Sequence, residues 1–202
     1  MDGTDPRIDA AARFLDRYRE RDQTEPAPQF WERQFPLDPA VRVALAEGFD
    51  LVGIAAFNAG EIERAKEAFF PLVLLRLAIV RDNRSDRTAI RDFASAEDLL
   101  SLTLIETGQL ADAAQLLGEA LGYREKLARD QPDDAQSAYL YGVALAHMGR
   151  LEAAKQDRVA ARGWLIRAQE HLKDVVGRWP SIAIIAGELV DVTQRLDRLG
   201  AS

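Results

Sequence analysis

The chain has 202 residues, 48% apolar and 29% charged, enough for one sizeable core or a short repeat array. A formal net charge of −7 makes it a poor electrostatic match for nucleic acid. No apolar run reaches the ~18–20 residues that a membrane span needs, and the absence of cysteine excludes disulfides and thiolate metal sites. The missing cysteines and an N-terminus, "MDGTDPRIDAAARF", without a basic-then-apolar leader point to a cytoplasmic protein. Basic residues are mostly arginine and alanine is abundant, which suggests a GC-rich bacterial genome.

The spacing of Ile8, Ala11, Ala12, Leu15 and Tyr18 predicts a first helix over 6–21. Pro26, Pro28, Pro36 and Pro39 then mark an irregular stretch. Its segment "PQFWERQFPLDP" carries Phe30, Trp31 and Phe35, too apolar for a free linker. These aromatics are expected to pack onto the helices as a lid that occludes a binding groove. Helix pairs are predicted at 40–58 with 61–81, at 87–107 with 109–130, and at 133–148 with 150–178.

In the third pair the turn is placed at Gly149, followed by one long helix over 150–178. The competing reading puts the turn at Gly163, fourteen residues on. That distance is close to four helical turns, so both registers present the same face. A final helix follows Pro180, with Ile182, Ile185, Leu189, Val192, Leu196 and Leu199 in a narrow stripe. It reads as a cap on the open end of a helix stack, with a homodimer seam as the alternative.

Three windows align on their glycines: "IAAFNAGEIERAKEAF" (54–69), "LTLIETGQLADAAQLL" (102–117) and "VALAHMGRLEAAKQDR" (143–158). Each has an apolar helical run and a glycine (Gly60, Gly108, Gly149). An Ile or Leu follows two residues later (Ile62, Leu110, Leu151) and an alanine five residues later (Ala65, Ala113, Ala154). Glycine accepts the left-handed conformation that ends a helix, and a small alanine lets the next helix approach closely. Arg76, Arg81, Asp82 and Asp86 recur 48 residues later as Arg124, Arg129, Asp130 and Asp134. The second and third glycines are only 41 apart, so the repeat length reads as variable.

These windows resemble the tetratricopeptide repeat (TPR) family. The matching positions are Gly53, Gly60, Ala65 and Phe69; Ser101, Gly108, Ala113 and Leu117; and Gly142, Gly149 and Ala154. The long second helices are similar to the extended, kinesin-light-chain-like variety found in bacteria. The resemblance implies an all-α, TPR-like α-solenoid of about three helix pairs over 40–180. An N-terminal helix and lid over 1–39 precede it, and a capping helix over 181–202 closes it.

In TPR proteins the first helices line a concave groove for peptides. By motif position the resemblance implies a lining of Glu47, Asp50, Ile54, Phe57 and Asn58 in the first copy. The second copy gives Asp98, Leu102, Ile105 and Glu106, and the third Gln136, Tyr139, Val143 and His147. The Lys, Asn and Arg clamp by which some members hold a C-terminal carboxylate is absent. Asp50, Ile54, Leu99, Gln136 and Leu140 stand at its places. A lining that mixes apolar and acidic groups suits an amphipathic or basic segment of a protein partner.

No phosphate-binding glycine loop, HExxH or EF-hand pattern is present. The two histidines, His147 and His171, are separated, and Asp133 and Asp134 sit where a helix begins and suit capping. The sequence therefore nominates no catalytic residue, metal ligand or cofactor. The expected function is a non-catalytic protein-interaction adaptor. The alternatives are a bacterial secretion or assembly chaperone for an apolar client segment, and a regulatory module of a larger enzyme such as a kinase or protease.

Overall fold

The computed structural model describes residues 5–21, 24–36 and 38–200. Residues 1–4, 22–23, 37 and 201–202, which belong to the expected N-terminal and C-terminal segments, lie outside the described residues. The described chain is all-helical and has no strand. Its helices are α1 (Pro6–Glu20), α2 (Ala27–Gln34), α3 (Pro39–Asn58), α4 (Ile62–Asp82), α5 (Arg87–Glu106), α6 (Leu110–Asp130), α7 (Ala135–Ala154), α8 (Arg158–Arg178) and α9 (Ala183–Gly200). None is long and apolar enough to cross a membrane. They fall into two compact units, one ending at Thr107 and the other starting at Gly108.

The element boundaries correct the expected repeat length. The starts of α3, α5, α7 and α9 are each 48 residues apart, and so are those of α4, α6 and α8. The devices that set these boundaries recur with the same period. Asp38 accepts from the N–H groups of Ala40 and Val41, Asp86 from Thr88 and Ala89, and Asp134 from Gln136 and Ser137. Each carboxylate satisfies orphan donors of the helix that follows. Asn83, Gln131 and Trp179 end the second helices, donating to the carbonyls of Ile79, Leu127 and Val175.

The tight turns fall at Gly60 (φ 77°), Gly108 (φ 76°) and, in the third copy, Gln156 (φ 65°). Gly60 and Glu61 donate to Phe57 and Ala56; Gln156 and Asp157 donate to Ala153 and Glu152. Both are the paired bonds of a Schellman motif, closed once by glycine and once by glutamine. The third turn is therefore at neither Gly149 nor Gly163. Gly149 is buried inside α7, and Gly163 lies inside α8. The long helix expected over 150–178 is instead the end of α7, a turn, and α8.

Gly149 is the counterpart of Gly53 and Ser101, not of Gly60. A Cβ on Gly53 would come within 2.3 Å of the Phe69 ring, and one on Gly149 within 2.7 Å of the Leu165 side chain. Between them Ser101 is fully buried and its hydroxyl donates to the Glu97 carbonyl at 2.6 Å. The slip in the sequence reading is seven residues. Seven residues turn a helix nearly twice, drifting only ~20°, so small residues recur on one face at that spacing and imitate the next motif position.

In the first unit α3 packs against α1 and α4, and α4 against α5. A Cβ on Gly48 would come within 2.2 Å of the Arg7 carbonyl oxygen, so α1 crosses α3 where there is no side chain. The segment 26–39 is not irregular throughout, since α2 forms within it. Trp31 is fully buried, stacks on Tyr18 at 5.0 Å and meets the Phe49 ring edge-on at 5.7 Å. Phe49 projects roughly 130° around α3 from the centre of the expected groove face, at about 100° per residue. The aromatic segment is thus core, held on another side of α3 from the residues it was expected to cover.

In the second unit α7 packs against α6 and α8, and α8 against α9. Leu145, Ala146, Leu165, Leu172 and Val175 form one core with Ile185 and Val192 of α9. Ile182, Leu189, Leu196 and Leu199 border the same core. The narrow apolar stripe of the last helix is therefore covered within the chain. α9 is in register as a further first helix, but Asp197 stands where Gly53, Ser101 and Gly149 stand.

Candidate functional site

In the first unit the positions 47, 50, 54, 57 and 58 share one side of α3, as helical spacing requires. Glu47 is ion-paired with Arg7 of α1 at 2.8 Å. Asp50 is half-buried beside Arg76 of α4, which itself pairs with Asp92 of α5 at 3.0 Å. Burial pushes the Asp50 carboxyl above its ordinary value; Asp92 and Glu47 push the same way and Arg76 opposes them. Ile54 and the neighbouring Leu51 are each 39% exposed, and Asn58 is exposed. Phe57 is half-buried. This face is an outward apolar strip with carboxylates one turn away.

The second copy is less accessible than expected. Asp98, Leu102 and Ile105 are only 7%, 9% and 8% exposed, leaving Glu106 as the exposed member of that set. In the third copy Gln136 is exposed, and Tyr139, Val143 and His147 are half-buried. Burial, followed by the Glu188 carboxylate, raises the Tyr139 hydroxyl. The 48-residue register moves the counterparts of positions 47, 50, 54, 57 and 58 to Val143, Ala146, Arg150, Ala153 and Ala154. Of the four expected third-copy residues, Val143 alone stays in the set. The other three sit close to the same face, displaced along it by two helical turns. His171 has a structural place: its Nε2 lies 2.7 Å from the Ala138 carbonyl oxygen and its ring meets Tyr141 edge-on.

The second unit also holds a cavity of about 320 Å³ lined from α7, α8 and α9. Gly149, Ala153, Leu165 and Leu199 line it together with Arg150, Arg195 and Arg198; the wall is mainly apolar, and Arg195 is ion-paired with Asp191. Sequence reasoning missed it, although the signal was present. Arg150 and Arg198 are 48 residues apart, at the position held by Ile54 and Leu102.

Among the described residues no cluster of three or more His, Asp or Glu side chains is arranged to hold a metal ion. No protein-family model, no curated protein and no solved structure matches the chain significantly.

Proposed function

We propose that the chain is a non-catalytic protein-interaction adaptor, built as a TPR-like solenoid, that holds an amphipathic or basic segment of a partner. The 48-residue repetition of caps, turns and close-approach positions supports the repeat reading. The observation that carries the functional reading is the outward side of α3, where Leu51 and Ile54 project beside Glu47 and Asp50. The opposite side of the same helix, through Phe49, Val52 and Ala56, is core. A helix so oriented offers apolar anchors for affinity and carboxylates for attraction and register.

The test is affinity capture with the intact chain and with a Leu51→Glu/Ile54→Glu variant whose helicity and melting are unchanged. The captured protein is then titrated directly against both. A partner held by the intact chain and weakened at least about tenfold by the variant supports the reading. A partner held equally by both contradicts it.

A further inference from the structure

The last helix leaves one side open. In α7 the side that receives α8 is marked by two glycines. A Cβ on Gly142 would come within 2.6 Å of Leu172, and one on Gly149 within 2.7 Å of Leu165. In the 48-residue register Val190 and Asp197 of α9 hold those two places. Val190 is 56% exposed, Asp197 is exposed, and a Cβ added at Gly187 would meet nothing within 4 Å. α9 packs against α8 and α7, and among the described residues no helix covers this side of it.

At about 100° per residue Ala183, Ala186, Gly187, Val190, Gln194 and Asp197 share the open side. All are exposed, and Ile184, 62% exposed, flanks them. Ile185 and Val192 lie opposite, in the core. The open side carries no charge before Asp197. A helix that only ends a repeat stack takes a polar outer face. This one is small and apolar, which lets another helix approach closely. The start of α9 is also unlike the others. Asp38, Asp86 and Asp134 cap α3, α5 and α7, but Ile182 stands at that place before α9 and has no side-chain oxygen for the first N–H groups.

We propose that the open side of α9 pairs with the same side of α9 in a second copy, about a two-fold axis at Val190. Such an axis lays the two helices antiparallel, as α8 lies on α7 where Gly142 meets Leu172 and Gly149 meets Leu165. The pattern is then its own complement, which is what a two-fold contact requires. Val190 meets its own copy, Ala186 faces Gln194, and Ala183 faces Asp197. The Asp197 carboxylate of each copy arrives at the uncapped N-terminus of the other's α9, where orphan N–H groups and the helix dipole favour an anion. One helix face is smaller than the ~800 Å² per partner of a standard interface, so the pair is a weak one that forms at about 10–100 µM. This surface shares no residue with the α3 face, so either reading can fail alone.

Sedimentation equilibrium of the intact chain from about 1 to about 500 µM tests it. The chain is expected to pass from monomer to dimer and no further, because a two-fold contact closes on itself. Val190→Glu, at an exposed position, should raise the dissociation constant at least about tenfold with helicity and melting unchanged. Asp197→Lys should raise it several-fold. Adding Ala183→Glu to Asp197→Lys should restore it, since opposite charges then face each other again. The Leu51→Glu/Ile54→Glu variant should dimerise as the parent does. A chain that stays monomeric over this range overturns the proposal and leaves the face to a different protein. Open-ended oligomers overturn it too, as do dimers untouched by Val190→Glu or Asp197→Lys, and an Asp197→Lys loss that Ala183→Glu fails to restore.

Discussion

Gln156 does at the third turn what Gly60 does at the first, and its Cβ makes that conformation costly. A left-handed residue other than glycine loses about 1–2 kcal/mol, part of which glycine gives back through unfolded-chain entropy. Gln156→Gly is expected to stabilise the second unit by about 0.5–1 kcal/mol. Gly149→Ala should do the reverse and cost about 1–3 kcal/mol, because its Cβ would press into Leu165. Urea unfolding of both variants checks the pair. Had Gly149 been the turn, residue 156 would lie inside a helix and Gln156→Gly would destabilise instead, while Gly149→Ala would keep its sign.

Asp50 gives a pH-dependent prediction at the same scale. Its folded-state carboxyl lies above the unperturbed value of 3.8, chiefly through burial. An acid raised in this way costs stability while ionised. The cost is present above the folded value and disappears as pH falls through it toward 3.8. Asp50→Asn is therefore expected to raise the urea midpoint near neutral pH, and the gain should shrink in mild acid. A variant equally or less stable than the parent near neutrality would contradict this. Keeping a carboxylate at such a position suits a group retained for binding rather than for stability.

Among the elements, most helices were legible from their apolar period, and α3, α5 and α7 also from the aspartate that caps each of them. The predicted pairs at 40–58 with 61–81 and at 87–107 with 109–130 end within a residue or two of α3 to α6. The third pair was not legible in the same way. Its turn lacks the glycine that marks the others, while Gly142 and Gly149, small for packing against Leu172 and Leu165, offer a false marker seven residues early. The same slip carried Gln136, Tyr139 and His147 into the candidate surface and left Arg150 out. Burial of Asp98, Leu102 and Ile105 was likewise invisible, since helical spacing gives a face but not what covers it.

The segment holding α2 shows proline punctuation read too literally. Pro26 and Pro28 frame the start of α2, where the missing proline N–H costs nothing. Trp31 then fixes the helix to α1 and α3. Its indole N–H finds no acceptor among the described residues, so its contribution is packing. Trp31→Ala is expected to destabilise the first unit by about 3–5 kcal/mol, and Trp31→Phe by clearly less. Equal losses in thermal or urea melts would show that the ring's size is not what matters. Because Trp31 contacts Phe49, removing residues 1–38 should expose core instead of opening a binding surface.

At the scale of the whole chain, helix starts, caps and close-approach positions recur with one 48-residue register. The α3 face of the first unit offers Leu51 and Ile54 with acids nearby. The constant 48-residue register decides which third-copy residues correspond to that face, making Arg150 the counterpart of Ile54 and placing it on α7. Residue-resolved amide hydrogen exchange on the intact chain tests the register directly. The account predicts protection from 142 through the hydrogen-bonded amides of 155–157, a gap at 158–159 where α8 begins, and renewed protection from Ala161 onward. A gap at 150–152 or at 164–166, with protection running through 158–159, would contradict the register.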